Sequence, residues 1–237
     1  MKIVALVQAR MGSTRLPNKV MKPIGGVPMI EILLSRLSKA VELDQIVVVT
    51  SLDERNKPLI THVQKLGFAC EQGSENDVLD RFVQAEKAQQ ADIVVRITGD
   101  CPLVDPALVD EVIRRFKADD VDYFSNIITP TYPDGLDIEV CAFKALEQAW
   151  HEADQPHDRE HVTPSVRESG QFKFASMQHN QDFSALRWTV DELADFAVIE
   201  NIFQHFYPRT DFSWDEVLNL QHQQPNINSN QHLNRNE

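Results

Sequence analysis

The sequence predicts an α/β protein built on a doubly wound, mostly parallel sheet, and three observations carry that expectation. Short β-branched runs recur along the chain, "KIVALVQ", "QIVVVTS", "DIVVRITG" and "DIEVCAF"; most are apolar throughout, as strands covered on both faces are. Between them, apolar residues return every three or four positions, the period of a helix with one buried face. Length and composition, 237 residues with 42% hydrophobic and 25% charged, suit one domain with a substantial core. Strand–helix–strand alternation of this kind produces parallel pairing through crossover helices.

The elements follow in order. "KIVALVQ" is the first strand. Pro28 then sits at a first helical turn, with Ile30, Leu33, Leu34, Leu37 and Val41 on one face. After "QIVVVTS", Leu59, Val63 and Leu66 make a second stripe, closed by Gly67 at a C-cap position. Asn76 is the expected N-cap of a helix carrying Val78, Leu79, Phe82 and Ala85. "DIVVRITG" follows; Asp105 then caps a helix with Pro106 in its first turn and Leu108, Val109, Val112 and Phe116 facing inward. Phe196, Phe203, Phe206 and Tyr207 form the core-facing stripe of the last long helix. No internal repeat breaks the chain, so residues 1–220 read as one domain. The tail 221–237, "QHQQPNINSNQHLNRNE", is polar and aperiodic and is expected to be disordered.

Charge narrows the function. The net charge of −13 disfavours nucleic acid as a partner. No stretch approaches the roughly 20 apolar residues of a membrane span. The first apolar run is too short for a leader's core and is soon followed by Arg10. Cys70, Cys101 and Cys141 show no CxxC spacing, which argues against a disulfide framework or structural zinc. A cytoplasmic location is expected. Yet the charge is uneven: Lys2, Arg10, Arg15, Lys19 and Lys22 precede the first acid, Glu31, giving +5 over residues 1–30 against −18 beyond. A basic island beside a glycine loop in an acidic chain suggests a small anionic ligand.

In an open parallel sheet, ligands sit at the carboxyl ends of the strands. The first such loop is "QARMGSTRLPNKV". Gly12 permits close backbone approach, Ser13 and Thr14 add hydroxyls, and successive amides in such a turn make an anion-binding concavity. Arg10 and Arg15 offer bidentate forks and Lys19 a point charge. The loop is neither GxxxxGK[ST] nor GxGxxG, which removes the commonest ATPase and dehydrogenase readings. A triphosphate fits the charge best.

The longer stretch "QARMGSTRLPNKVMKPIGGVPMIE" resembles the opening of the sugar-activating cytidylyltransferases, near the 3-deoxy-manno-octulosonate and acylneuraminate enzymes. "GSENDVLDRF", "VVRITGDCPLVDP", "YPDGLDIEV", "REHVTP" and "LRWTVDELADF" are similar to the SpsF-like, spore-coat-polysaccharide branch, in that family's order from about residue 1 to 207. The resemblance implies a nucleotide-diphospho-sugar transferase-like fold with a nucleotide half over about 1–120 and a smaller acceptor half over about 121–220. It implies that Arg10, Gly12, Ser13, Arg15 and Lys19 cradle a triphosphate and that Gln8 and Ala9 lie along the nucleotide. It places Asp100 and Asp191 on Mg²⁺, although Asp191 is also well placed to cap a helix. Arg81 is a nucleotide-side candidate or a partner of Asp77 one turn earlier. In the acceptor half, Asp137 and Glu139 share one strand face, where either can bind sugar hydroxyls or take a proton from the attacking one. Arg159, Glu160 and His161 complete that pocket. The reaction implied joins CTP to a sugar acid or sugar phosphate with release of pyrophosphate, and a homodimer is in keeping with the family.

Two features invite other readings. "HDREH", His157–His161, matches the inverted zinc-protease pattern HxxEH, but Pro156 and Pro164 leave little helix for it. "DVD", Asp120–Asp122, matches the metal string of glycosyltransferases that use nucleotide sugars, but it falls where a strand begins, the wrong end for a nucleotide. A non-catalytic nucleotide or sugar sensor would retain the same loop and bind without turnover. Cys101, beside Asp100, is read as packing.

Overall fold

The computed structural model describes residues 1–230, 232, 233 and 235. The main sheet holds β1 (Ile3–Gln8), β4 (Gln45–Ser51), β5 (Ala69–Gly73), β6 (Ile93–Thr98), β7 (Tyr123–Ser125), β8 (Glu139–Ala142) and β9 (Phe174–Ser176), while β2 (Pro23–Ile24) and β3 (Val27–Pro28) form a small hairpin. Strand order is β5-β4-β1-β6-β8-β7-β9. β1 pairs in parallel with β4 and β6, β4 with β5, and β7 with β9; β8 runs against both neighbours. The expected mostly parallel sheet is therefore present, with β8 alone reversed between β6 and β7.

Both faces are covered. Along β1, Ile3, Ala5 and Val7 enter one core and Val4 and Leu6 the other, as alternation along a strand requires. The first core is filled from α1 (Met29–Leu37), α2 (Lys57–Lys65), α4 (Pro106–Ala118), α8 (Leu193–Phe206) and α9 (Trp214–Gln223). The second is filled from α3 (Val78–Gln89), α5 (Phe143–Glu152) and α7 (Pro164–Glu168). A short helix, α6 (Pro156–His161), packs against α3 and α7. Arg36, 2% exposed, ties α1 to distant loops by donating to the carbonyls of Val104 (3.0 Å), Thr210 (2.5 Å) and Phe212 (3.0 Å).

Several local expectations are corrected. α1 ends at Leu37, and Val41 is exposed because the Asp110 carboxylate captures the amides of Val41 and Glu42 and turns the chain away. Asp77, not Asn76, caps α3 by accepting from the Asp80 amide at 2.9 Å. Tyr207 lies just past α8 and faces solvent, so the core stripe stops short of it. The tail is not free at 221: α9 runs to Gln223, and Gln221 and Asn230 are both buried. Their side-chain amides find buried partners, a gain that composition does not register. Positions 231, 234, 236 and 237 of that tail lie outside the described residues.

One buried group is a liability. Glu86 on α3 is fully buried within the second core, and neither carboxylate oxygen has a hydrogen-bond partner. Burial, with some help from Glu147, holds its carboxyl protonated well above the usual range. A raised acid stabilises the fold below its ordinary pKa and costs stability as pH climbs towards the folded value. Glu86→Leu is therefore expected to stabilise the fold at pH 8 by about 1–3 kcal/mol, raising the melting temperature by a few degrees. The gain should shrink towards pH 4; thermal unfolding across that range checks it.

Candidate active site

The loop after β1 is anchored rather than loose. The Ala9 amide continues the ladder to the Val49 carbonyl (3.1 Å), and the Met11 amide donates to Asn56 Oδ1 (2.8 Å). Asn56 is itself 1% exposed and held by Ser51. Gly99 lets β6 end against β1, since a Cβ there would lie 2.8 Å from the Ala9 Cβ and 2.9 Å from the Gln8 carbonyl. Gly12 differs from expectation: its φ is not left-handed, a Cβ would meet only the Arg55 side chain at ordinary contact distance, and it does not line the cleft.

The remaining loop residues converge. Gln8, Ala9, Arg10, Ser13, Arg15, Lys19, Arg81, Asp100 and Asp191 line one cavity of about 370 Å³. At its floor Lys19 Nζ donates to Asp100 Oδ2 (2.9 Å) and Asp191 Oδ1 (2.7 Å). Burial opposes the Lys19 charge, but the two carboxylates prevail and raise its pKa. Burial likewise opposes ionisation of Asp100, and Lys19 with hydrogen bonding prevails and lowers it. Arg15 Nη2 approaches the same Asp191 oxygen at 3.3 Å, and Arg187 Nη2 holds the other at 3.1 Å. Asp191 does not cap α8; Glu192 does so, in a capping box with Asp195. Arg10 pairs with Glu75 at 2.9 Å. Arg81 does not pair with Asp77: it is 3% exposed, and its Nε and Nη1 have no hydrogen-bond partner.

A second cavity, of about 470 Å³, shares Thr98, Asp100, His161 and Asp191 with the first and adds Asp134, Asp137, Glu139, Arg96, Arg167 and Arg235. Of the two carboxylates expected on one strand face, only Glu139 lies in β8, Asp137 preceding it, and the two differ sharply. Glu139 accepts from Tyr123 Oη (2.5 Å), Thr163 Oγ1 (2.6 Å) and Arg96 Nη1, which together overcome burial and lower its pKa. Asp137 is pushed up to about 6, chiefly by burial and despite Arg235 at 2.5 Å. Arg159 and Glu160 lie outside this cavity, bordering a recess with Gln8, Arg10 and Glu75. Arg159 closes the end of α5 by donating to the Ala153 and Trp150 carbonyls (2.9 and 2.8 Å) and pairs with Asp77. His161 borders all three spaces. It precedes a γ-turn at Val162 (φ 73°), closed by the Thr163 amide on the His161 carbonyl at 2.9 Å. Next to Asp134, the φ of Gly135 (106°) and its close approach to the Trp188–Thr189 backbone leave no room for a side chain.

Other sequence candidates settle elsewhere. Asp120 pairs with Lys173 and Asp122 binds the Lys173 amide, both at the start of β7. His157 and His161 stand side by side, with ring centroids 4.5 Å apart. Cys101 Sγ lies 3.1 Å from Thr98 Oγ1, and burial pushes its thiol up, with Asp100 and Asp137 adding to the shift. A separate groove, about 540 Å³ between the β2–β3 hairpin, α1 and the end of α8, contains none of these groups. Arg96, Asp134, Arg187 and Arg235 were missed by sequence reasoning. A charge inside "VVRIT" was the visible signal for Arg96; Arg235 left none.

The profile of the family described as Cytidylyltransferase matches residues 4–205. The chain belongs to that family. A spore coat polysaccharide biosynthesis protein, SpsF, of Bacillus subtilis is 33% identical over 94% of this chain and 95% of its own. A 3-deoxy-manno-octulosonate cytidylyltransferase 2 of Hydrogenovibrio crunogenus is 31% identical over 77% of this chain and 69% of its own. A solved cytidylyltransferase of Leptospira borgpetersenii superposes with a TM-score of 0.93 at 31% identity, covering 97% of this chain and 98% of that one. The protein is thus a sugar nucleotidyltransferase of the SpsF-like cytidylyltransferase branch, on the nucleotide-diphospho-sugar transferase fold. No helix among the described residues is long and apolar enough to cross a membrane.

The cytidylyltransferase's carboxylates Asp137 and Glu139 differ in their surroundings and should respond differently to substitution. Glu139→Gln breaks a buried, three-donor site and is expected to cost about 3–5 kcal/mol. Asp137→Asn should cost less than about 1 kcal/mol while impairing use of the acceptor. Paired melting and turnover assays check both halves.

Proposed function

We propose that the protein transfers a cytidylyl group from CTP to a sugar acid, releasing pyrophosphate. The observation that carries this reading is the Lys19 ammonium bridging Asp100 and Asp191 where the two cavities meet. One cavity is lined by guanidinium, ammonium and hydroxyl groups suited to a triphosphate; the other is rich in carboxylates suited to sugar hydroxyls. The relatives' names, a spore-coat polysaccharide protein and an octulosonate cytidylyltransferase, supply the substrate class.

In this reading Arg10, Arg15 and Lys19 bind the triphosphate, and the Arg81 guanidinium, with two unpartnered nitrogens beside Gln8, faces the nucleoside end. An acceptor hydroxyl attacks the α-phosphorus; the bond to the β-phosphate oxygen breaks and its electrons leave with pyrophosphate. Arg10, Arg15 and Lys19 offset the charge that gathers on the leaving group, which is where positioned cations lower such barriers. Asp137, with a carboxyl near the working pH, takes the hydroxyl proton. Asp100 and Asp191 are hard oxygen donors converging on one cationic centre, a set that fits Mg²⁺ with waters completing its shell. Bound there, Mg²⁺ supplies Lewis-acid neutralisation of phosphate charge.

The discriminating experiment measures pyrophosphate release from CTP, UTP, GTP and ATP with Mg²⁺ against a panel of sugar acids and sugar phosphates. Release with CTP and a sugar acid is the expected result. Sugar transfer from a nucleotide sugar without pyrophosphate would favour a glycosyltransferase, and binding without turnover a sensor. With the active pair, Lys19→Ala and Asp100→Asn should each lower kcat by about 10²–10³. The rate should rise with pH through about 6 as Asp137 loses its proton, and Asp137→Asn should flatten that limb. A wild-type rate in Lys19→Ala would sink the assignment.

A further inference from the structure

The chain beyond α9 returns to the active site. Gln221 Oε1 accepts from Trp188 Nε1 at 3.1 Å. Asn230, 2% exposed, donates its side-chain amide to the Arg187 carbonyl and to Asp195 Oδ1, both at 2.9 Å. The C-terminal arm is thereby pinned to the segment that carries Asp191. Further along, Arg235 enters the acceptor-side cavity, donating from Nη2 to Asp137 Oδ1 (2.5 Å) and from Nη1 to the Tyr132 carbonyl (3.2 Å). A guanidinium has five N–H donors, so these two bonds leave most of the fork's capacity.

The charge around it gives that capacity a purpose. Five carboxylates line the cavity, those of Asp100, Asp134, Asp137, Glu139 and Asp191. Of the other arginines, Arg96 is committed to Glu139 and Gln8, and Arg167 pairs with Glu168 at 3.6 Å. A sugar acid entering such a space meets like charge in a partly desolvated setting, where repulsion is strong. Arg235 sits beside Asp137 and offers a planar fork that matches a carboxylate, which a point charge does not.

We propose that the C-terminal arm is the specificity element of the acceptor site, with Arg235 receiving the carboxylate of the sugar acid. This rests on the cytidylyl-transfer reading above. Arg235 recognises rather than reacts, so its removal acts on acceptor binding and on the choice between an acid and its neutral counterpart.

The test compares full-length wild type, Arg235→Ala and Arg235→Lys, each first checked for an unchanged melting temperature. Pyrophosphate release is measured with CTP and the sugar acid that turns over, and with the methyl ester of that acid. The carboxyl carbon NMR signal of Asp137 is recorded without substrate. Arg235→Ala is expected to raise the acceptor KM at least tenfold, leave the KM for CTP within twofold, erase the preference for acid over ester, and shift the Asp137 signal. Arg235→Lys should restore part of the preference. An unchanged acceptor KM, or a lower one as for a plug removed, overturns the proposal, as does an unmoved Asp137 signal. A wild type that releases no pyrophosphate, while its Asp137 signal still depends on Arg235, overturns the transfer reading and leaves the arm in place.

Discussion

The ammonium of Lys19 between Asp100 and Asp191 joins three parts of the chain that the fold alone would leave apart. Lys19 follows the first strand's loop, Asp100 follows β6, and Asp191 precedes α8. Bringing two carboxylates into a half-buried cleft is costly unless charge and hydrogen bonds compensate them. The compensation extends outward. Arg187, 5% exposed, holds Asp191, Asp195 and Asp134 (3.1, 2.9 and 3.2 Å), and Asp195 in turn accepts the amides of Asp191 and Glu192. A network so connected fixes Asp191 before any ligand arrives, and the α8 capping box and the buried Asn230 depend on the same groups.

This explains where the second half of the molecule departs from simple winding. A parallel sheet alone would place every functional loop at one edge. Here β8 reverses direction, so Glu139 approaches β6 from the opposite end and pairs with Arg96 in register. Arg96 is the centre of that meeting: it binds Glu139 on one side and Gln8 on the other. Glu139 therefore serves the junction between β6 and β8, whereas Asp137 is held by Arg235. The γ-turn at Val162 has a similar logic. A β-branched residue at positive φ is strained, and the strain is held where Thr163 binds Glu139 and His161 borders the cleft.

The fold and the convergence of the basic loop on one cavity were legible because both are local. Four strands and the helices between them follow from periodicity within a dozen residues, and the basic loop announces itself by charge and spacing. The acceptor side is assembled from long-range pairs that spacing does not encode. Only Glu139 lies in β8, so the expected shared strand face is absent; Asp137 and Glu139 nevertheless line the same cavity, and their partners, Arg235 and Arg96, separate one from the other. Arg159 illustrates the opposite failure: a conspicuous arginine beside "EH" proves to be tied up on the carbonyls of α5. The tail misled because its polarity was taken for solvation, whereas Gln221 and Asn230 use polar side chains to satisfy buried groups.

The resting pairs also indicate how the site can exchange partners without collapsing. Each cation proposed to bind phosphate already has an acid: Arg10 with Glu75, Arg15 with Asp191, Lys19 with Asp100 and Asp191. In the proposed reaction a triphosphate would compete for the same cations, with more charge and more oxygens than the carboxylates it would displace. Were Arg15 and Lys19 to turn to phosphate, Asp100 and Asp191 would lose neutralising charge together, and their mutual repulsion would favour a divalent ion as a replacement. On that reading nucleotide binding and readiness of the two aspartates would be one electrostatic event, because the same lysine serves both.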